Sequence, residues 1–277
     1  MLLRFVPSSI MPPSVIPPDI AATLLRLERE TFLHAAEWFP ELASTNSHAL
    51  ALAAEDDLDL PRVIWAARQT AGRGRGHNAW WSSDGALLMS LLVDPSSAGL
   101  PFPRWSQIAL LTGLAVAETL EEFLPDALVQ LKWPNDVYVA GRKICGILTE
   151  IPPGRTDRLV VGIGVNVANS LASAPRELQE TAVSLIDLTG HSAPTPGDVL
   201  LNLMSRWDGW LQRAAISELD FSELWSRRCY LTGETIHVMQ GSESLMGRCA
   251  GLDPDGALRL EIEGRILRIL AGTVRKI

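Results

Sequence analysis

The chain has 277 residues and a formal net charge of −8, enough length for one substantial core and a smaller second unit. At 47% hydrophobic and 20% charged it has the composition of a soluble globular protein, and its acidic balance argues against a dedicated nucleic-acid or membrane-surface binder. The cysteines, Cys145, Cys229 and Cys249, form no CxxC pair and imply no disulfide framework, which fits a reducing cytoplasm; the apolar stretches at 86–93 and 108–117 are too short to span a bilayer.

Residues 1–20 carry repeated prolines and read as a flexible leader rather than a targeting peptide. A short helix is predicted over 21–30. Ser44-Thr45-Asn46 precedes Ala49, Leu50 and Ala53, a helix start with a hydroxyl or amide cap. A strand at 63–67 feeds the glycine-rich loop 71–76, and 85–93 reads as a second, buried strand. The segment 105–123 predicts a buried helix with Ile108, Leu111 and Ala115 facing inward. Strands are expected at 128–133, 137–139 and 144–150, joined by Pro134-Asn135-Asp136 and Ala140-Gly141-Arg142, and again at 159–167. Leu200, Leu203, Met204, Trp207 and Leu211 form the stripe of an amphipathic helix. Beyond Thr232-Gly233 short alternating runs separated by turn residues indicate a small all-β unit, with a boundary near residue 230. These elements make an α+β domain at 21–229 followed by a β module at 230–277. Nothing before Ser44 offers the amphipathic helices of a helix-turn-helix domain, so specific DNA binding is not expected.

Three short segments carry chemistry. Between residues 60 and 83 there is no acidic residue, while Arg62, Arg68, Arg73, Arg75 and His77 all occur; a cationic island in an acidic chain suits a small anionic ligand. Within it, Gln69-Thr70-Ala71-Gly72-Arg73-Gly74-Arg75-Gly76 alternates glycines, which let the backbone approach a ligand, with arginines that grip carboxylate or phosphate oxygens. It matches neither the P-loop nor the Rossmann fingerprint. Taken alone it also reads as an arginine-bearing surface loop. Lys132-Trp133-Pro134-Asn135-Asp136, followed by Gly141-Arg142-Lys143 and Gly146, is either a ligand-facing segment or a hairpin held by Asx hydrogen bonds. Gly162-Ile163-Gly164-Val165-Asn166 breaks an apolar strand, as a bulge or as a place where backbone meets a flat ligand.

In this order, Ser44-Thr45-Asn46, Gln69 to Arg75, Trp80, the KWPND run, Gly-Arg-Lys143 and GIGVN resemble the motif series of the biotin–protein ligase family, over most of the chain. The resemblance implies a mixed β-sheet backed by helices, a C-terminal SH3-like β-barrel, and an enzyme that joins biotin to AMP and passes the biotinyl group to a lysine of a biotin carboxyl carrier protein. It implies ATP and biotin as substrates and Mg²⁺ as the accompanying ion. Ser44, Thr45, Asn46, Gln69, Arg73, Gly74, Arg75, Lys143 and Gly146 would then bind biotin. Arg73, Arg75, Trp80, Lys143 and Asn166 would contact ATP or the adenylate, with Trp80 on the adenine. Lys143, Arg75 and Asp136 are the catalytic candidates, Asp136 as a group that orients or deprotonates the acceptor amine or as a structural turn residue. The resemblance leaves a homodimer open.

Two departures stand out. The family carries a further glycine-arginine pair before the tryptophan, where this chain has Gly76-His77-Asn78-Ala79, and an acidic residue before Ser-Thr-Asn, where this chain has Ala43. Lipoate–protein ligases share the implied fold and the adenylate mechanism but lack KWPND. A biotin-responsive regulator would add a DNA-binding domain to the same core.

Overall fold

The computed structural model describes residues 16–76 and 78–277. Most of the expected leader, residues 1–15, lies outside them, as does His77 of the loop. The first helix, α1 (Pro18–Glu30), begins inside the span assigned to the leader, because a proline at the first helical position has the right φ and no N–H to satisfy. It buries Leu27.

A seven-stranded sheet runs in the order β1-β2-β3-β7-β6-β5-β4. Its strands are β1 (Ala35–Phe39), β2 (Arg62–Ala66), β3 (Leu87–Val93), β4 (Val129–Lys132), β5 (Asp136–Val139), β6 (Arg142–Glu150) and β7 (Leu159–Val165). Only β1 and β2 pair in parallel, joined by a crossover that carries α2 (Thr45–Leu52); the other neighbours are antiparallel, which makes the sheet mixed. The strand expected to reach residue 167 stops at Val165: the Asn166 amide still bonds to the Ile144 carbonyl of β6, but the Val167 amide turns to the Asn169 side chain.

Strand alternation divides the sheet's faces. Ile64, Leu92 and Val160 pack with Ala49 and Ala53 of α2 on one face. Their neighbours Val63, Leu91 and Val161 join the main core on the other. There lie α3 (Ile108–Phe123), buried nearly all round, and α6 (Pro196–Ile216). The α6 stripe Leu200, Leu203, Met204, Trp207 and Leu211 is fully inward, and Thr195 with Asp198 closes its start in a capping box. Short helices α4 (Arg176–Thr181), α5 (Leu185–Thr189) and α7 (Phe221–Ser226) complete this part. Among the described residues no helix is long and apolar enough to cross a membrane.

The C-terminal strands β8 (Thr235–Gln240), β9 (Glu243–Leu252), β10 (Leu258–Ile262), β11 (Arg265–Ile269) and β12 (Thr273–Lys276) form an antiparallel sheet in the order β11-β10-β9-β8-β12. Its inward side chains, among them Ile236, Leu252, Leu258 and Val274, belong to the same contiguous core as α3 and α7. The Trp133 indole N–H donates to the Gly256 carbonyl at 3.0 Å, tying the KWPND turn to this second sheet. The α+β class with a separate antiparallel C-terminal unit is therefore present.

Candidate active site

On the α2 face, β3, β7 and β6 present Ser90, Gly162, Gly164 and Gly146 in register: Ser90 opposes Gly162, and Gly164 opposes Gly146. The absence of side chains is what the site needs. A Cβ on Gly164 would lie 2.6 Å from the Trp80 ring, one on Gly146 would lie 2.9 Å from it, and one on Gly162 would strike the Asn46 amide at 2.0 Å. The three glycines thus make a flat floor on which an indole and an amide rest. The Trp80 indole N–H is buried with no acceptor among the described residues.

Above this floor is a cavity of about 280 Å³ lined by Ser44, Thr45, Asn46, Gln69, Arg73, Gly74, Arg75, Trp80, Asp136, Lys143 and Gly146 together with other residues. It thus gathers 11 of the 12 residues singled out from the sequence. The deep wall is a closed polar network. Ser44 caps α2 by accepting from the Ser47 N–H. Gln69 Oε1 accepts from the Thr45 backbone N–H at 2.7 Å and from its hydroxyl at 3.2 Å. Ser90 Oγ lies 2.8 Å from Thr45 Oγ1 and 2.6 Å from Asn46 Oδ1. The Asn46 amide N–H donates to Glu150 at 2.8 Å and to the Leu148 carbonyl at 3.2 Å.

The cations stand over the other wall. Lys143 Nζ pairs with Asp136 Oδ1 at 2.6 Å and lies 5.5 Å from the centre of the Trp80 ring. Arg73 pairs with Glu150 at 2.5 Å. Arg75 donates to the Gly272 carbonyl at 2.7 Å, so the glycine-rich loop touches the second sheet. Lys132 and Arg275 also line the cavity. Burial pushes the Lys132 ammonium below the lysine range; Asp136 opposes this shift and the nearby Lys143 and Arg275 add to it. Five cations against Asp136 and Glu150 leave the cavity suited to an anion larger than one carboxylate.

Asn166, expected to contact the nucleotide, stands apart from the other candidates. It is buried but outside the lining, its amide N–H donating to Val183 at 3.2 Å and its Oδ1 accepting from Asn169 at 3.0 Å. With both ends satisfied, it holds the exit of β7. Several lining or supporting residues escaped the sequence reading. Ser90 is the lone polar residue of the run Leu87–Val93, and Glu150 closes β6 two residues after the apolar run Ile144–Leu148; both were visible as oddities. Gly272 to Arg275 gave no local signal, because they reach the cavity only through the packing of the second sheet.

The chain resembles known proteins over most of its length. The family model described as the Biotin/lipoate A/B protein ligase family matches residues 38–166. The chain is 32% identical over 238 residues to a Biotin--[acetyl-CoA-carboxylase] ligase of Mycobacterium tuberculosis, covering 84% of this chain and 86% of that one. It is 32% identical over 228 residues to the ligase of the same name from Paracoccus denitrificans, covering 78% and 90%. Among solved structures it resembles a biotin protein ligase from Aquifex aeolicus in complex with biotin and ATP, with 31% identity and a TM-score of 0.75 over 87% of this chain and 99% of that one.

Proposed function

Because this chain belongs to the biotin/lipoate A/B protein ligase family, we propose that it is a biotin protein ligase that forms biotinyl-AMP from biotin and magnesium–ATP and transfers the biotinyl group to a lysine of a biotin carboxyl carrier protein. One observation carries the reading: five cations converge over a glycine floor whose deep wall is a buried hydrogen-bonding network.

The network suits a ureido ring, which offers both N–H donors and a carbonyl acceptor to Ser44, Thr45, Asn46 and Gln69. A lipoyl dithiolane has no such groups and would leave buried polar atoms facing it without gain. The valeryl chain would run over Gly146 and Gly164 towards Lys143. There the biotin carboxylate and the α-phosphate of ATP must meet, and both are anionic. Arg73, Arg75 and Lys143 neutralise and align them, which is most of what such a reaction requires. A carboxylate oxygen attacks the α-phosphorus, the bond to the bridging oxygen breaks, and pyrophosphate leaves. No side chain need become a nucleophile. Asp136 and Glu150 already pair with Lys143 and Arg73. Magnesium, supplied with the nucleotide, would add charge neutralisation at the phosphates.

In the second step the acceptor amine attacks the acyl carbon and AMP departs with the bonding electrons. The amine must lose a proton, and Asp136, beside Lys143 at the cavity, is the carboxylate placed to orient or take it. Trp80 supplies a flat face for the adenine, and its buried indole N–H awaits an acceptor. ATP as substrate and free cysteines suit the cytoplasm.

The test is transfer. Incubated with biotin, magnesium–ATP and the carrier domain of a biotin-dependent carboxylase, the protein should add a single biotinyl group to the carrier. Replacing the carrier's target lysine by arginine should abolish the addition. A carrier left unmodified, with adenylate formed, would remove the transfer step from the proposal.

A further inference from the structure

The Glu150 carboxylate stands at the end of β6, outside the cavity lining, with its two oxygens divided between two elements. One accepts from the Asn46 amide on α2 at 2.8 Å, the other from the Arg73 guanidinium at 2.5 Å. Arg73 opens a small hairpin: it bridges Ala79, the Gly74 N–H donates to the Asn78 carbonyl at 2.7 Å, and the Trp80 N–H donates to the Gly72 carbonyl at 3.0 Å. The far arm of this hairpin is what lays Trp80 on the glycine floor. Arg73 also approaches Ser47 at 3.4 Å, so its guanidinium bends towards α2 rather than towards solvent.

A partly exposed ion pair on its own is an ordinary surface feature. Here two facts make it more. The side chain of Glu150 is only 22% exposed, and both its oxygens accept from donors that the functional reading assigns to biotin. We infer that Glu150 is a positioning residue that couples the polar wall bearing Asn46 to the hairpin that lines the cavity, so that Asn46 and Arg73 are set in place by one carboxylate. This rests on the functional reading above. Only a carboxylate can serve both neighbours. A glutamine of the same shape has one acceptor and one donor, and its NH₂ would face either the Asn46 NH₂ or the Arg73 guanidinium.

The experiment compares Glu150→Gln, Glu150→Ala, Arg73→Ala and the double variant Glu150→Ala/Arg73→Ala with the wild type. Amide hydrogen exchange is measured at Gly74 and Trp80 without ligand, and the dissociation rate of pre-formed biotinyl-AMP is measured by rapid dilution. Both glutamate variants should lose protection at these two amides about fivefold and release the adenylate about fivefold faster, with a smaller change in the saturated rate of its formation. In the exchange measurement the double variant should be no worse than the worse single variant, since at the hairpin the two side chains act through one contact. Glu150→Gln keeps the volume and guards against a variant that fails to fold. Unchanged protection at Gly74 and Trp80 in a folded Glu150→Gln protein overturns the inference whatever the ligand. Independent, multiplying effects of the Glu150 and Arg73 changes on exchange at Gly74 and Trp80 also overturn it. A wild-type protein that makes no biotinyl-AMP overturns the functional reading instead, which the exchange measurement does not depend on.

Discussion

Replacing Gly164 by alanine tests the floor of the site with a single methyl group. The added carbon would stand 2.6 Å from Trp80 Cε2 and 2.9 Å from both Cζ2 and Nε1. Ordinary carbon contacts lie at about 3.5–4.0 Å, so the indole must rise by roughly 1 Å. Overpacking of this kind costs about 1–3 kcal/mol. Where the cost falls depends on what can move. Gly164 sits in the central strand β7, paired on both sides and unable to yield. Trp80 sits on a hairpin closed by a few hydrogen bonds, and that hairpin can lift. The change should therefore appear in ligand binding rather than in the fold: about 5- to 150-fold weaker binding of the nucleotide or adenylate for about 1–3 kcal/mol. The melting temperature should fall by no more than about 2–4 °C, the shift expected for about 1 kcal/mol in a chain of this size. Titration calorimetry with the adenylate or a stable analogue, beside scanning calorimetry of the free protein, reads both. Wild-type affinity in the variant would show that Trp80 does not need the floor. A large loss of stability with affinity retained would show that Trp80 is core rather than site.

Other consequences follow from the cations. Lys143→Ala should slow adenylate formation by about 30- to 1,000-fold, for the loss of about 2–4 kcal/mol of charge-assisted stabilisation, with the circular-dichroism spectrum unchanged; stopped-flow pyrophosphate release at the wild-type rate would remove it from its role. Arg275→Ala, the cavity cation supplied by β12, should raise the KM for ATP about tenfold, as the loss of a cation facing the phosphates, while biotin affinity, measured by calorimetry, stays within about twofold; a defect confined to biotin would assign Arg275 to the other substrate. Lys132 supplies a pH test, because burial lowers its pKa in the folded chain. Between that lowered value and the ordinary lysine range the unfolded chain holds a proton that the folded chain releases, so stability rises with pH across this window and is lost as pH falls through the folded value. Lys132→Met should flatten that rise in urea melts at stepped pH; an unchanged slope would assign it to another group.

Much of the site was legible because its lining residues come largely in short contiguous runs. Ser44-Thr45-Asn46 caps a helix and faces the cavity at once, and the glycine-arginine loop must be continuous to form a hairpin. Lys143 and Asp136 lie seven positions apart in sequence but meet across the β5–β6 hairpin, a separation short enough to suspect. What escaped depends on register or on distant packing. Ser90 becomes meaningful only when β3 pairs with β7 and sets it against Gly162. Glu150 acquires its role from two partners more than seventy residues away. Arg275 reaches the cavity because the second sheet shares a core with α3. The strand β1 was missed because all of its residues are half-buried and show no alternation, as an edge strand under a helix and a loop would. Asn166 is the converse case: it lies in a motif, yet its amide bonds to Asn169 and Val183 and it stands outside the lining.

The central question is which acid the site activates. The protein should be mixed with magnesium–ATP and either biotin or lipoate, quenched within a single turnover, and analysed by mass spectrometry for the acyl adenylate and for pyrophosphate. Biotin should yield biotinyl-AMP and an equal amount of pyrophosphate, while lipoate should yield neither above background. Lipoyl-AMP formed as readily as biotinyl-AMP, or no adenylate from biotin at all, would contradict the assignment of the polar wall and the cation cluster to biotin activation.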